Sequence, residues 1–265
     1  MRRHLVHFAS ALVALMFAMP ALAAPGLKLS WDHCSADGRI SNRAFACDTN
    51  AGSELLVLSF EPALDKPDVT GFEITMHLKS SAASLPDWWR FASGACRVTG
   101  MTSDFSPAVA GSCEYPLSTN AAGGIATFQA DSFGPGSLRI LAVSAVPVQD
   151  QFAIAPGHEY FVFAFVLRDI RTVGTGACPG CSTPMCIGFG SVKAVGPTGT
   201  SDMSVLAGGP NAGGSEETVT WQGAYVRDYT VFRDGVALVA SMTCDPDNTV
   251  PTRRSTWGLV KSLYR

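Results

Sequence analysis

The chain carries eight cysteines, and all of them lie downstream of an N-terminal segment with the pattern of an export signal. An even number of cysteines in an exported chain indicates a framework of disulfide bonds. The sequence therefore predicts four disulfides among the eight, which are Cys34, Cys47, Cys96, Cys113, Cys178, Cys181, Cys186 and Cys244. Eight cysteines allow about 105 pairings, and proximity along the chain favours Cys34–Cys47 and Cys96–Cys113.

Residues 1–23 have the three parts of a secretory signal peptide. A basic start at Met1–His4 precedes an apolar run from Leu5 to Met19, and Ala21-Leu22-Ala23 supplies the small residues of a cleavage site. The apolar run is shorter than the roughly 20 residues that a membrane span needs. We expect cleavage between residues 23 and 24, and a mature protein that is secreted, periplasmic or held at the cell surface.

The mature chain is long enough to bury a core of its own. We expect a β-sandwich domain over residues 24–250, with two sub-modules as the alternative, and a basic, aromatic tail over residues 251–265. The formal net charge of −3 becomes more negative when Arg2 and Arg3 leave with the signal peptide. A mildly acidic chain lacks the basic surface that nucleic acid requires, and no mature segment is apolar enough to cross a membrane.

Short apolar runs between breakers predict an all-β fold. The chain contains 26 glycines and 16 prolines, and residues 71–78 alternate strictly, with Glu73, Thr75 and His77 opposite the apolar set. The predicted strands are residues 54–60, 71–78, 125–130, 138–148, 160–170, 186–195 and 218–221, followed by a hairpin over 229–240. This spacing is typical of an antiparallel β-sandwich, immunoglobulin-like or jelly-roll-like, with disulfide-tied loops.

The densest cysteine cluster is Cys178-Pro179-Gly180-Cys181 followed by Cys186. Together with Cys244 these thiolates could hold a tetrahedral zinc ion, and the Cys-x-x-Cys pair alone could act in redox chemistry. Export favours oxidation to structural disulfides over both alternatives. The redox interpretation also lacks the helix start that would activate a thiol.

Trp88-Trp89, followed by Arg90, is the strongest candidate for a ligand-binding surface. Exposed indole faces stack on sugar rings, and the arginine could donate hydrogen bonds to a glycan. The alternative, which we weigh more heavily, is that both tryptophans belong to the core, because large aromatic side chains are usually buried.

Asp245, Asp247 and Asn248 offer oxygen ligands at the spacing that begins a calcium loop. The segment lacks the glycine and the distal glutamate of an EF-hand. We expect an ordinary turn and no cofactor, with calcium at this loop as the alternative.

Catalytic motifs are scarce. The mature chain has three histidines, His33, His77 and His158, and His77 is expected on the outer face of its strand. None of the common hydrolase, nucleotide or metalloprotease motifs occurs. The sequence favours a non-catalytic protein that binds a glycan or an extracellular protein, or has a structural role. A secreted glycosidase-like hydrolase with paired carboxylates and a periplasmic metal or redox protein are the alternatives.

The closing segment Thr256–Arg265 resembles the ending of a group of exported bacterial proteins of unknown function. Phe45–Gly52, Pro86–Trp89 and the three-cysteine cluster are similar to the same group. The resemblance covers most of the mature chain. It implies a bacterial secreted protein and carries no implication about activity.

Overall fold

The computed structural model describes residues 25–207, 214–233 and 236–244. These residues contain fifteen strands and five short 3-10 helices, and no α-helix. The strands are β1 (Gly26–Trp31), β2 (Asn42–Arg43), β3 (Ser53–Glu61), β4 (Lys66–Val69), β5 (Gly71–Ser80), β6 (Met101–Asp104), β7 (Ala122–Ala130), β8 (Ser137–Ala145), β9 (Phe152–Ile154), β10 (Tyr160–Arg168), β11 (Met185–Val195), β12 (Met203–Leu206), β13 (Thr218–Trp221), β14 (Val226–Arg233) and β15 (Val236–Cys244). The 3-10 helices are Ser35–Asp37, Asp87–Trp89, Pro107–Val109, Val148–Asp150 and Gly214–Glu217.

Two antiparallel sheets form the sandwich. The small sheet has the order β1-β3-β10-β6, and the large sheet has the order β2-β13-β11-β5-β8-β7, with β12 paired to β11. The only parallel strand pair among the described residues is the short one between β2 and β13. Two further ribbons, β14-β15 and β4-β9, complete the described strands. The all-β sandwich predicted from the sequence is confirmed.

The core lies between the two sheets, whose facing sides both carry apolar side chains. Leu56, Leu58 and Phe60 of β3 belong to the same buried cluster as Ile74 and Met76 of β5. Alternation with a period of two places all of these side chains on the inward faces. Burial of this shared apolar surface is the main force that holds the two sheets together.

All seven predicted strands exist, and the hairpin predicted over residues 229–240 corresponds to β14 and β15. The run from 160 is an interior strand, since β10 pairs with β3 on one side and β6 on the other. The sequence prediction missed the first strand and the short ones, which are β1, β2, β4, β6, β9 and β12. The predicted signal peptide, the calcium loop and the C-terminal tail lie outside the described residues.

The eight cysteines form four disulfides, as predicted, but the two short pairings predicted from proximity are wrong. The bonds are Cys34–Cys113, Cys47–Cys181, Cys96–Cys178 and Cys186–Cys244. The shortest of them spans 58 residues. Sequence distance failed as a guide because antiparallel pairing brings remote loops together at the sheet ends. Within the described residues, no helix has the length and apolarity needed to span a bilayer.

Candidate functional site

Trp88 and Trp89 are core residues, which is the alternative that the sequence favoured over an aromatic platform. Both side chains are 0% exposed. The Trp88 ring stacks on Trp221 at a centroid distance of 5.1 Å, and Trp89 meets the same ring edge-to-face at 5.6 Å. Arg90 is partly exposed, but its Nε donates to the carbonyl oxygen of Leu85 at 3.0 Å. Neither indole presents a face to a ligand.

The cysteine cluster lies beside this aromatic cluster. The amide of Trp88 donates to the carbonyl oxygen of Pro179 at 3.0 Å, and Trp221 Nε1 donates to the carbonyl oxygen of Cys181 at 2.7 Å. Disulfides to Cys96 and Cys47 fix the two ends of the Cys178–Cys181 loop. A Cβ at Gly180 would lie 2.2 Å from Pro86, so the close contact requires glycine. The loop is therefore a structural element, and its sulfurs are committed to disulfides.

The described residues do not provide a metal centre built on cysteine. The one group of close potential ligands found among them combines Glu159 with Cys34 and Cys113. Those two cysteines are bonded to each other and cannot act as thiolates. The zinc and redox interpretations of the cluster therefore have no free thiol among the described residues to support them.

Two buried carboxylates, Glu61 and Glu159, lie beside a lysine and serve the fold. Lys28 Nζ lies 3.5 Å from Glu61, 3.7 Å from Glu159 and 3.9 Å from Glu216. Both oxygens of Glu159 also accept backbone amide hydrogen bonds of 3.0 Å, from Ser35 and Ala36. A carboxylate with both oxygens engaged in this way is poorly placed to act as a nucleophile or a base. This cluster therefore ties the loop after β1 to the small sheet.

The outer face of the large sheet carries a different arrangement, which we call the sheet groove. It has a volume of about 230 Å³ and opens on the side turned away from the core. Adjacent strands β11, β5 and β8 supply its polar and apolar walls. The defining residues are Glu73, Thr75, Arg139, Leu141, Val143, Ser191 and Lys193.

The register explains why these side chains converge. Thr75 of β5 pairs with Leu141 of β8 on one side and with Ser191 of β11 on the other. Thr75 is only 7% exposed and forms the floor. Glu73 lies in the next row, between Val143 and Lys193. A bulge in β11 at Gly190 brings Ser191 to the same face as the long side chains around it.

The two cations of the groove differ in their partners. Lys193 Nζ lies 3.0 Å from Asp202 and 3.2 Å from Glu73, and hydrogen bonds to these carboxylates, first to Asp202, raise the pKa of Lys193. Arg139 has no ion-pair partner among the described residues. Its Nε is buried and has no hydrogen-bond partner. The two cations are nevertheless balanced in formal charge by the two carboxylates, Glu73 and Asp202.

His77 lies beside Arg139 in the cross-strand row next to the groove. It is on the outer face of β5, as predicted, but Phe133 covers it at a ring-centroid distance of 5.1 Å, and it is 1% exposed. Burial, and secondly the charge of Arg139, lowers the pKa of His77 to about 3. Its Nδ1 has no hydrogen-bond partner. His77 is therefore a covered neighbour of the groove and does not belong to its lining.

Two other depressions lack these features. One, of about 280 Å³, lies beside the cysteine loop, and all of its lining residues are uncharged. Another, of about 390 Å³, is lined by Lys66, whose Nζ is held by Asp68 at 2.7 Å and by the Ser201 carbonyl oxygen at 2.9 Å. The sheet groove is therefore the best candidate for a binding site in the described part of the chain.

Sequence reasoning missed the groove, although one signal was present. Alternation placed Glu73, Thr75 and His77 on one outer face, but only the strand order brings Arg139 and Lys193 beside them. The three histidines do not form one site, because His33 and His158 flank strands of the small sheet and His77 belongs to the large one. No protein-family model matches the chain, and no curated protein is significantly similar to it in sequence.

Proposed function

We propose that this is an exported, non-catalytic binding protein, and that its ligand is a glycan bound in the sheet groove. The observation that carries the proposal is the convergence of hydrogen-bonding side chains from three adjacent strands on an open face of the sandwich. Hydroxyl, carboxylate and cationic groups provide both donors and acceptors for sugar hydroxyls. Leu141 and Val143 add apolar contact for the carbon face of a sugar ring.

The size of the groove fits one sugar unit of a longer chain. Its volume of about 230 Å³ is below the roughly 300–1,000 Å³ of pockets that enclose a drug-sized ligand. Because the groove opens on a sheet face, the rest of a polysaccharide would cross the neighbouring strands without entering the core.

A protein partner is less well supported. Large protein interfaces centre on clustered aromatic and apolar side chains. The exposed large apolar side chains of the described residues come from separate segments, and only Val143 lines the groove; they are Leu64, Val98, Val143, Val148 and Tyr225. The four described tryptophans are all buried. The four disulfides suit a protein that works outside the cytoplasm.

A glycan array with the purified mature protein tests the proposal. We expect retention on at least one polysaccharide, with no release of sugar over hours of incubation. Ser191→Trp should fill the groove and abolish retention, whereas Thr102→Trp, on an exposed residue of the small sheet, should not. Equal melting temperatures would show that both variants fold. Retention of the Ser191→Trp variant would refute binding of the glycan in the sheet groove. Release of sugar fragments would show that the protein is a hydrolase.

A further inference from the structure

We propose that β7 pairs with β7 of a second copy of the chain, antiparallel and about a two-fold axis that passes between Ala126 and Thr127. The two large sheets then form one continuous sheet. Two observations carry the proposal: β7 is an open, uncharged sheet edge, and its bulge gives it a pattern of faces that a second β7 matches. The pairing does not depend on what the sheet groove binds.

The edge of the large sheet at β7 is open. β7 is the last strand in the order of its sheet and pairs with β8 on one side. None of its nine residues is buried, whereas all six residues of β1, at an edge of the small sheet, are buried. Strand β6 comes near β7 but is not paired with it. Among the described residues, no backbone hydrogen bond reaches β7 from the side opposite β8, so a row of donors and acceptors is available to another strand.

The composition of β7 lacks the features that usually protect such an edge. Its sequence, AGGIATFQA, contains no charged residue and no proline, and the uncharged run extends back to Tyr115. Edge strands of natural proteins are commonly protected by lysine, by proline, by short length or by a covering segment. The edge strand β6 illustrates two of these features, since it has four residues and ends in Asp104. β7 therefore has the character of a strand that is covered in the assembled protein.

A bulge in β7 decides which of its side chains point inward. Ile125 pairs with Ala142 of β8, and Phe128 pairs with Ile140. Both of these β8 residues are buried in the core, so Ile125 and Phe128 point inward, and both are partly buried against the core cluster. Two inward side chains three residues apart depart from the period of two that a regular strand has.

The two residues between them, Ala126 and Thr127, both lie on the outer face. Thr127 pairs with Leu141, which lines the sheet groove, and Ala126 lines the groove itself. The regular strand β8 leaves Ala126 without a partner. A second β7 carries the same irregularity, so pairing about the proposed axis matches inward residues with inward ones and outward residues with outward ones. The resulting pairs are Ile125 with Phe128, Ala126 with Thr127, Gly124 with Gln129, and Gly123 with Ala130.

This register favours a second copy over an unrelated strand. It places Phe128 of each copy opposite Ile125 of the other, and pairs of an aromatic with a β-branched side chain stabilise neighbouring strands. Both pairs extend the apolar inner face of the sheet across the axis. Asp131, the first carboxylate after β7, falls opposite Ala122, so charged side chains of this stretch do not meet. Two-fold pairing also occupies the β7 edge of both copies, and assembly through this edge therefore stops at a dimer.

The dimer places two sheet grooves on one face. Ala126 lies on the outer face in both copies, so both grooves open on the same side of the continuous sheet. Five strand spacings of about 4.8 Å separate β5 from its copy, which gives about 24 Å between the two groove floors. Two sites at this spacing would let one polysaccharide chain bind twice and raise its avidity; this consequence alone rests on the proposed function.

Sedimentation equilibrium of the purified protein over about a hundredfold range of concentration tests the proposal. We expect a mass that rises to twice that of one chain. Thr127→Lys and Thr127→Glu each place two like charges diagonally across the axis, so each should weaken dimerisation at least about tenfold. Thr175→Lys, with the same change of charge on an exposed loop residue, should dimerise like the wild type. An equal mixture of the Thr127→Lys and Thr127→Glu proteins should dimerise again, because opposite charges then meet.

The outcomes separate the dimer from the proposed function. A wild-type protein that remains monomeric over the whole range would overturn the proposal, and so would a dimer that persists in both charged variants. A mixture that stays monomeric would contradict the two-fold register. Hydrogen exchange of the wild type gives a measurement that needs no variant: amides of residues 122–130 should exchange more slowly in the dimer than in the dilute monomer. A dimer that binds no glycan would refute the proposed function and leave the β7 pairing intact.

Discussion

The guanidinium carbon of Arg97 lies 3.4 Å from the centroid of the Trp88 ring, and its Nη1 donates a 2.7 Å hydrogen bond to the carbonyl oxygen of Trp88. The Arg97 side chain is 0% exposed, and it also donates to the carbonyl oxygens of Ile170 and Arg168. Burial lowers the pKa of Arg97 to about 9, partly offset by Asp169. A charged side chain therefore organises the end of the core that contains Trp88 and Trp89.

Replacement of Arg97 should destabilise the protein strongly. Arg97→Met leaves the carbonyl oxygens of Trp88, Ile170 and Arg168 without this donor and removes the cation whose charge lowers the pKa of the buried Asp169. We expect a loss of roughly 3–5 kcal/mol in the free energy of unfolding, measured by urea denaturation. Arg97→Lys should recover less than half of this, because an ammonium cannot reproduce the planar arrangement of donors. Wild-type stability in the lysine variant would show that charge alone matters.

Trp88 and Trp89 should behave as core residues. Trp88→Ala and Trp89→Ala are each expected to cost about 3–5 kcal/mol through lost burial and cavity formation. Arg90→Ala, next to them but partly exposed, should cost less than about 1 kcal/mol. Thermal and chemical denaturation of the three variants measures these differences. Little change in either tryptophan variant would mean that its ring lies at the surface.

His77 should make stability depend on pH. In the folded protein its pKa is lowered to about 3 by burial, whereas an unfolded histidine takes up its proton near pH 6.5. Between these values the unfolded chain binds more protons, so the free energy of unfolding falls as the pH is lowered. We expect a loss of about 2 kcal/mol from pH 7 to pH 5.

A matched pair of variants isolates this effect. His77→Gln should abolish most of the pH dependence between pH 7 and pH 5, since it removes the titrating group. His158→Gln should preserve it, because the His158 side chain is about half exposed and paired with Glu114. The same pH dependence in all three proteins would show that another group is responsible.

Replacement of Lys28 should destabilise the folded protein, because buried carboxylates surround its ammonium group. The side chains of Lys28, Glu61 and Glu159 are 3%, 6% and 7% exposed, so Lys28→Met leaves buried negative charge without its cation. We expect a cost of about 3–5 kcal/mol. Lys28→Met combined with Glu61→Gln should be more stable than the single variant, because one of the stranded charges is gone. Additive costs in this pair would indicate that the two side chains do not interact.

The sequence predicted many of the strands correctly, but it did not predict which cysteines form the disulfide bonds between them. Val, Ile and Phe runs between glycines identify strands because the pattern is local, and residues 71–78 show it most clearly. The disulfide partners are not local: Cys47 and Cys181 are 134 residues apart, and only the folded sheets bring them together. Pairing the nearest cysteines therefore gave wrong bonds for Cys34 and Cys96.

The same limit applied to the candidate site. Burial of Trp88 and Trp89 was favoured because of their size, but their packing partner Trp221 lies far along the chain and leaves no local signal. Glu73, Thr75 and His77 were placed on one outer face, but Arg139 and Lys193 come from strands that become neighbours only through the sheet order β11-β5-β8. A binding groove made by three strands distant in sequence leaves no motif in any one of them.

The position of the ligand site is tested most directly by nuclear magnetic resonance of the labelled protein during titration with an oligosaccharide of the polysaccharide that the glycan array retains. The predicted result is that the largest backbone amide shifts fall on residues of the sheet groove, with Thr75, Leu141, Ser191 and Lys193 among them. Shifts concentrated instead around Trp88 or the Cys178–Cys181 loop, with the groove signals unchanged, would contradict a binding site on the large sheet.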